Sequence, residues 1–348
     1  MALRSPELKA APHLLCDWVE LKALSTPLGQ FRLSSLRRLW DVNRETEASD
    51  PEGKDVREED TDQYGVSGVD DEVFIDSISD EIADRASALG ASYPFEIDDS
   101  NCVKVNSPPT HGGFMYVFCL LLTHSNGKSL FDGTWLPQVD HKVRDLFQAC
   151  STVAAAGEVQ GCAVSFGWPR PNNSLPFLAK LRQVYAEFGE GIVVDVRLPG
   201  TSPFSKDEEI DVIAWRPRPD RAPGTQYLLG QVASGDNWMS KSILGPPIDS
   251  FHRNWFHPPP PSQAQATIFI PHAVAPVDGE STRRDRLDIL TSRFGIVIDR
   301  FRLPLLVTKG MDLARDTGGS LLIERIDDMD TIGWWVVQQI NSLHVAAS

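Results

Sequence analysis

Two short apolar runs joined by a loop rich in proline, glycine and aspartate constrain the fold of this chain more than any other stretch. The first run spans 210–215 and the second spans 227–232. Runs of this length on either side of such a loop predict a β-hairpin with a long connection. Asp211 stands near the start of the first run and Gln231 near the end of the second. Polar side chains inside apolar strands require a structural or functional reason.

The length and composition are those of a globular protein. The 348 residues, 41% of them hydrophobic, can form one large core or two or three smaller ones. The N-terminal residues lack the apolar segment of a secretory signal, and the longest apolar run, 114–122, is about half of what a membrane-spanning helix needs. We therefore expect a soluble, cytoplasmic protein without membrane association. The five cysteines form no CxxC pair, which favours reduced core thiols over a zinc or disulfide site.

The negative charge of the chain is concentrated in one region. Between positions 41 and 99 there are 20 Asp or Glu residues and 4 Lys or Arg residues, a balance of −16 within a net charge of −15. The rest of the chain is therefore close to neutral and lacks the basic surface of a self-sufficient DNA-binding protein. A solvated linker is the plainest interpretation of the acidic segment 41–99, and mimicry of DNA charge or docking of a basic partner are the alternatives.

Helical periodicity predicts a mainly helical N-terminal region over 1–130. Apolar positions between 8 and 40 predict two helices with a break at residues 27–29. The polar, aperiodic sequence within 43–70 predicts a flexible acidic loop. Apolar spacing over 72–89 then predicts a further helix.

The middle of the chain, 131–257, is predicted to be an α/β unit. A helix over 140–156 is followed by a turn-rich loop over 165–174 and a second helix over 176–188. A strand over 192–198 then leads into the two strands of the hairpin. This order predicts a small mixed sheet flanked by helices.

A proline-rich passage separates a predicted C-terminal α+β extension, 258–348. Its pattern predicts a strand over 267–271, a basic helix over 283–293, an apolar run over 296–298 and a final helix over 331–344. Phosphate contacts are one interpretation of the arginines on the basic helix, and a solvated helix face is the other.

The candidate metal-binding side chains lie in the predicted hairpin. An acid that opens one strand and a polar residue that closes its antiparallel neighbour can face each other, as Asp211 and Gln231 would. Glu209 shares the face of Asp211 because strand side chains alternate. Oxygen ligands with open positions suit Mg²⁺ or Mn²⁺, and such a site supports phosphodiester hydrolysis. The structural alternatives are an ion pair of Asp211 with Arg216 or Arg218, and a core hydrogen bond from Gln231.

Two sequence segments carry a resemblance to a known family. IDVIAW in the first strand, followed by LLGQVASGDNWMSK, resembles the restriction-endonuclease-like nucleases of the PD-(D/E)xK superfamily. The glutamine in the second segment is typical of the Mrr-like branch, and the segments are similar to antiphage defence proteins that share DxxxW, GQxxxG and NWxxK. The resemblance is most specific over 165–241. It implies a restriction-endonuclease-like mixed sheet, Asp211 as the metal-binding acid and Gln231 as the second ligand.

Two positions depart from the family pattern. The lysine that normally lies two residues after the second ligand is replaced by Ala233, and Lys241 in NWMSK is the residue expected to take its role. The family's helical glutamate corresponds to Gln148, which carries no charge. Both changes would weaken metal binding or catalysis.

Two functions follow from these observations. The first is an Mg²⁺- or Mn²⁺-dependent DNA endonuclease, or nuclease subunit, of antiphage defence, with Asp211, Gln231 and Lys241 as catalytic residues and Asp211, Gln231 and Glu209 as metal ligands. The second is a catalytically degenerate scaffold that keeps the nuclease fold and binds a protein partner such as an ATPase. Formation of homo-oligomers is left open. Zinc and serine hydrolases are disfavoured because neither HExxH nor GxSxG occurs.

Overall fold

The structure is a computed structural model that describes residues 3–4, 10–36, 38–39, 67–106, 109–127, 130–131, 137, 139–168, 175–196, 208–277 and 282–347. Most of the predicted flexible loop within 43–70 lies outside these ranges. The chain forms two compact units. The first consists of Met1–Pro109, Lys128–Leu136 and Val337–Ser348, and the second of Thr110–Gly127 and Pro137–Val336.

The first unit contains a three-stranded antiparallel sheet of order β1-β3-β2. Its elements are helix α1 (Pro12–Ser25), strand β1 (Gln30–Arg32), helix α2 (Ser67–Leu89), strand β2 (Phe95–Ile97) and strand β3 (Cys102–Val105), with a 3₁₀ turn at Gly90–Ser92. The predicted helices over the first part of 8–40 and over 72–89 are confirmed, as is the break at 27–29.

The helix predicted directly after residue 29 is wrong. Gln30–Arg32 pairs with β3 instead, and helical backbone resumes only at Ser34. Three residues are too few to show a period of two, so the strand has no sequence signature of its own. Its position depends on packing, because Phe31 is buried and makes an edge contact with Trp18 of α1.

A buried charge cluster joins α1 to α2. Arg85 is fully buried and donates to Asp17 at 2.6 Å, to Glu20 at 2.9 Å and to Glu81 at 2.8 Å. The hydroxyl of Tyr93 also donates to Glu20, at 2.6 Å. Removing one partner from such a cluster would leave an uncompensated buried charge, at a cost of about 3–5 kcal/mol.

The second unit is organised around a five-stranded mixed sheet of order β4-β5-β6-β7-β8. The β4–β5 and β5–β6 pairs are antiparallel, whereas the β6–β7 and β7–β8 pairs are parallel. The strands are β4 (Cys162–Ser165), β5 (Val212–Trp215), β6 (Tyr227–Val232), β7 (Ala264–Phe269) and β8 (Ile296–Ile298). The helices are α3 (His111–Gly127), α4 (His141–Val159), α5 (Phe177–Phe188), α6 (Pro246–Trp255), α7 (Arg283–Phe294) and α8 (Leu303–Asp316). A last helix, α9 (Asp328–Ala347), belongs to this unit up to Val336 and to the first unit from Val337 onwards.

Apolar packing places helices on both faces of this sheet. Ile213 and Trp215 of β5 belong to a buried cluster with residues of α5 and α6. Val212 and Ala214 alternate with them along the strand and are also buried, facing the side on which α4 packs. The prediction of an α/β fold with a mixed sheet flanked by helices is confirmed at this level. Among the described residues, no helix has the length and apolar character needed to cross a membrane.

Close backbone contact fixes α4 against α8. A β-carbon on Gly157 would lie 2.1 Å from the carbonyl oxygen of Leu306, and one on Gly310 would lie 2.2 Å from that of Val153. Only glycine at both positions allows this approach. At its N-terminus α4 is capped by Asp140, whose side chain accepts from the N–H of Val143 at 3.0 Å.

Several sequence predictions for the second unit are confirmed, and others need correction. The hairpin, both helices over 140–156 and 176–188, the basic helix and the apolar run over 296–298 are all present. The strand predicted over 192–198 is wrong: in its described part, 192–196, only Val193 forms an isolated bridge, to Phe256. The sequence analysis also missed β4, α6 and α8.

The domain boundaries at 130 and 257 remain predictions, but strands on both sides of residue 257 share one sheet. β6 precedes this position and β7 follows it, and the two are paired over their whole lengths, from Tyr227↔Ala264 to Val232↔Phe269. The predicted C-terminal extension therefore contributes two strands, β7 and β8, to the sheet that contains the hairpin.

Candidate active site

A cleft of about 580 Å³ opens at the edge of the sheet where β5 begins and β6 ends. The polar residues of the hairpin strands lie at this edge. All of its lining residues that the structure describes belong to the second unit. They come from the first two turns of α4, from the segment after β4, from the start of β5 and from the end of β6 with the loop that follows it: His141, Arg144, Asp145, Gln148, Trp168, Glu209, Asp211, Gln231, Val232, Ser234, Gly235, Asn237, Ser240 and Lys241. The predicted site residues Asp211, Gln231, Glu209 and Lys241 are thus together in one cleft.

Asp211 is anchored between two strands. It comes directly before β5, and its N–H donates to the carbonyl of Gly230 at 2.8 Å. Its carbonyl accepts from Phe166 at 2.7 Å and from Gly167 at 3.0 Å, beyond the end of β4. Its side-chain oxygen Oδ2 accepts from the N–H of Val232 at 2.8 Å. This bond fixes the carboxylate, and the second oxygen, Oδ1, lies towards Gly167.

Gln231 lines the cleft and has a buried amide oxygen. The residue is 7% exposed, and its Oε1 atom has no hydrogen-bond partner among the residues that the structure describes. Leaving a buried acceptor unsatisfied costs about 1–3 kcal/mol. A ligand that offers positive charge or a hydrogen-bond donor to this oxygen would remove the cost. Within the described residues, Oε1 does not make the core hydrogen bond that the sequence analysis considered for Gln231.

Gln148 enters the same site from helix α4. Its Nε2 donates to the hydroxyl of Ser165 at 2.8 Å, which fixes the carboxamide. A β-carbon built on Gly167 would lie 2.3 Å from Oδ1 of Asp211 and 2.8 Å from Oε1 of Gln148. Any side chain at position 167 would therefore occupy the space between these two oxygen atoms. The helix position that the family resemblance assigned to Gln148 is part of the site.

Lys241 and Glu209 reach the cleft from irregular segments. Lys241 directly follows the 3₁₀ helix Asp236–Ser240, and its N–H donates to the carbonyl of Trp238 at 2.9 Å. Glu209 was expected to share the strand face of Asp211, but it lies in a turn before β5 with φ of +66°. The alternation argument does not apply to it, although it lines the cleft.

Ala233, at the position of the family lysine, does not line the cleft. It is 2% exposed and packs in an apolar cluster with Ile268, Ile270 and Val274. Its N–H donates to the carbonyl of Phe269 at 2.9 Å, which continues the β6–β7 pairing. A lysine at this position would bury its ammonium group among aliphatic side chains, so the cation of this cleft comes from another segment.

Three of the lining residues that the sequence analysis missed are His141, Arg144 and Trp168. Two of them could have been found, because His141, Arg144 and Gln148 follow the i, i+3, i+7 spacing of one helix face. Asp145 lies on the same face and accepts both guanidinium nitrogens of Arg325, at 3.0 and 2.7 Å. Trp168 had no signal in the sequence, since it follows a strand that was not predicted.

The loop that carries Lys241 rests on an aromatic stack. The ring of Trp238 lies 6.5 Å from that of His272 and 5.5 Å from that of Phe294, at small interplanar angles of 28° and 40°. Burial, with a smaller contribution from the positive charge of Arg300, lowers the pKa of His272 to about 4. A hydrogen bond to the backbone of Gly235 opposes this shift. His272 is therefore neutral at pH 7.

This low pKa predicts a loss of stability in acid. The ordinary value is 6.5, so between pH 6.5 and about 4 the unfolded chain binds a proton that the folded chain does not. The free energy of unfolding should fall as the pH drops through this window, by up to roughly 3 kcal/mol. Urea unfolding at pH 7.5 and 4.5 measures the effect, which should shrink in His272→Phe. The same substitution at the exposed His257 should leave the pH dependence unchanged; equal pH dependence in all three proteins would contradict the assignment.

The donor atoms of the cleft suit a hard cation. No three His, Cys, Asp or Glu side chains come together as a metal-binding group within the described ranges. The cleft instead offers the carboxylates of Asp211 and Glu209 and the carboxamides of Gln231 and Gln148. Oxygen donors of these kinds suit Mg²⁺ or Mn²⁺. Together with the buried Oε1 of Gln231, this set fits the cation that the family resemblance implies.

Comparison with known proteins adds no family assignment. No model of a protein family, no curated protein and no solved structure matches this chain.

Proposed function

We propose that this protein is a metal-dependent DNA endonuclease, or a nuclease subunit, of antiphage defence. The observation that carries the proposal is the convergence of Asp211, Gln231, Gln148 and Lys241 on one cleft at the end of two antiparallel strands. Gln148 is distant in sequence from the other three, and each is the residue to which the family resemblance gives a role. The mixed sheet with helices on both faces supports the same proposal.

Each residue has a definite task in this proposal. Asp211, Glu209 and Gln231 hold Mg²⁺ or Mn²⁺, with the carboxamide of Gln148 beside them. When bound, the cation supplies a Lewis acid for the scissile phosphate and a lowered pKa for the attacking water. Lys241 stabilises the negative charge that develops on the phosphate oxygens. Ser165 orients Gln148 through the hydrogen bond at 2.8 Å.

The carboxamides favour a second candidate function. The resemblance implies an acid at position 148 and accepts glutamine at position 231. Among the described residues proposed as metal ligands, only Asp211 and Glu209 carry negative charge, because Asp145 of the same cleft is paired with Arg325. A weaker cation site with a displaced lysine would suit a scaffold subunit that keeps the fold and binds a protein partner such as an ATPase.

Cleavage of plasmid DNA and of single-stranded DNA in Mg²⁺ or Mn²⁺ distinguishes the two functions. For the nuclease, we expect cleavage by the wild-type chain and a rate roughly 10- to 100-fold lower in Lys241→Ala, because the charge on the phosphate is no longer compensated. Lys309→Ala is the matched control, since Lys309 is an exposed lysine on α8 outside the cleft. Wild-type rates in Lys241→Ala would remove this lysine from the mechanism. If the wild-type chain cleaves with neither cation, the scaffold is favoured.

A further inference from the structure

Trp168 is an exposed aromatic side chain in the wall of the proposed active site. It is 51% exposed and lines the cleft with Asp211 and Lys241. Other tryptophans of the second unit, such as Trp215 and Trp255, are buried in the core. A large aromatic side chain that is about half exposed beside polar atoms is suited to contact with a ligand, since a bound ring would cover its exposed part.

Polar groups surround the position of Trp168 in the cleft. The residue before it, Gly167, has no side chain, and this allows Oδ1 of Asp211 and the carboxamide of Gln148 to approach its backbone closely. Gln231, more than nine-tenths buried, lines the same cleft, and its Oε1 atom has no hydrogen-bond partner among the described residues. The aromatic ring and the polar atoms therefore belong to one binding site, with a planar apolar surface beside a polar one.

We propose that Trp168 stacks on an unpaired nucleobase and that the substrate of the cleft is single-stranded DNA. This inference rests on the proposed nuclease function and specifies its substrate. In a duplex, each base is already stacked between its neighbours and is not available to a protein ring. In a single strand, the base next to the scissile phosphate can turn onto the tryptophan, and base–aromatic stacking of this kind tolerates any sequence.

The charge of the protein favours the same substrate. Duplex binding depends on many phosphate contacts by lysine and arginine. This chain has a net charge of −15, and among the described residues the permanent cations that line its cleft are Arg144 and Lys241. Proteins that bind single strands combine a limited number of phosphate contacts with aromatic stacking. Arg144, Lys241 and Trp168 supply this combination within one cleft.

Equilibrium binding to labelled DNA tests the inference. Fluorescence anisotropy would compare a single-stranded oligonucleotide with its duplex, in Ca²⁺ instead of Mg²⁺ so that the DNA is not cut. We expect the full-length chain to prefer the single strand. Trp168→Ala should bind the single strand about tenfold more weakly, whereas Trp168→Phe should keep most of the affinity because it retains a ring. Trp334→Ala is the matched control, since Trp334 is 65% exposed on α9 and does not line the cleft.

Three results would overturn the inference: equal affinity for single strand and duplex, unchanged single-strand affinity in Trp168→Ala, or an equal loss in Trp334→Ala. Its failure is distinguishable from failure of the nuclease function. Cleavage that requires Lys241 but is indifferent to Trp168 and to strandedness removes the stacking subsite alone. Single-strand binding through Trp168 without cleavage in either cation removes the nuclease and keeps the subsite.

Discussion

The Asp211→Asn variant is expected to cleave plasmid DNA at least about 100-fold more slowly than the wild-type chain, a barrier increase of roughly 2.7 kcal/mol. The substitution removes the charge of the carboxylate that lies deepest between the hairpin strands. The fold should survive, because the asparagine oxygen can still accept the N–H of Val232 that Oδ2 accepts at 2.8 Å. Initial rates in Mg²⁺ and Mn²⁺, together with thermal unfolding of both proteins, measure the two effects separately.

The control for this variant lies in the same hairpin. Asp220 is exposed, and its side chain also accepts from a backbone N–H, that of Ala222 at 3.1 Å. It does not line the cleft. Asp220→Asn therefore makes the same chemical change at the same kind of hydrogen bond and should cleave at the wild-type rate. Cleavage by Asp211→Asn at that rate would place the metal site elsewhere in the chain.

Ala233→Lys should lower the stability of the second unit by roughly 3 kcal/mol or more and should not accelerate cleavage. The substitution restores the lysine of the family pattern two residues after Gln231. In this chain, however, the side chain at position 233 packs with Ile268, Ile270 and Val274 and is 2% exposed. The ammonium group would lose its hydration without gaining a partner. Urea unfolding and plasmid cleavage under the same conditions measure both quantities.

Ala233→Met separates size from charge in this experiment. Methionine has a similar length and no charge, so it reports the cost of overpacking the cluster, about 1–3 kcal/mol. The additional loss in Ala233→Lys is the cost of burying the cation. If the lysine variant is as stable as the wild-type chain and cleaves faster, then the lysine at 233 reaches the site, and Lys241 does not hold the role proposed for it.

The elements that could be predicted from the sequence have strong local patterns. Helices over 140–156 and 176–188 follow from apolar spacing, and the hairpin follows from two apolar runs and the turn residues between them. The meeting of Asp211 and Gln231 could be anticipated for the same reason, because adjacent strands joined by a loop pair with each other. This part of the site depends on contacts that are close in sequence.

The remaining elements depend on contacts that a local pattern does not encode. Strand β4 is four residues long and buried throughout, so it has no alternation, and it pairs with β5 some fifty positions later. The apolar residues over 192–196 have the composition of a strand, yet two of them, Ile192 and Val196, are more than half exposed. Gln148 lies near Asp211 only because β4 brings Gly167 between them, and β4 was not predicted. Glu209 lines the cleft from a turn with positive φ, which strand alternation does not predict.

The parallel pairing of β6, β7 and β8 places the segments that follow these strands at one edge of the sheet. Parallel strands end at the same edge of a sheet, so the segments that follow β7 and β8 begin at the edge where Gln231 lies. One of them already supplies His272, which supports Trp238 and the loop of Lys241. Insertions or exchanges in these two segments would leave the pairing of the strands and the position of Asp211 unchanged. Under the proposed function, these segments are the place where substrate selectivity could be changed without altering the proposed metal ligands.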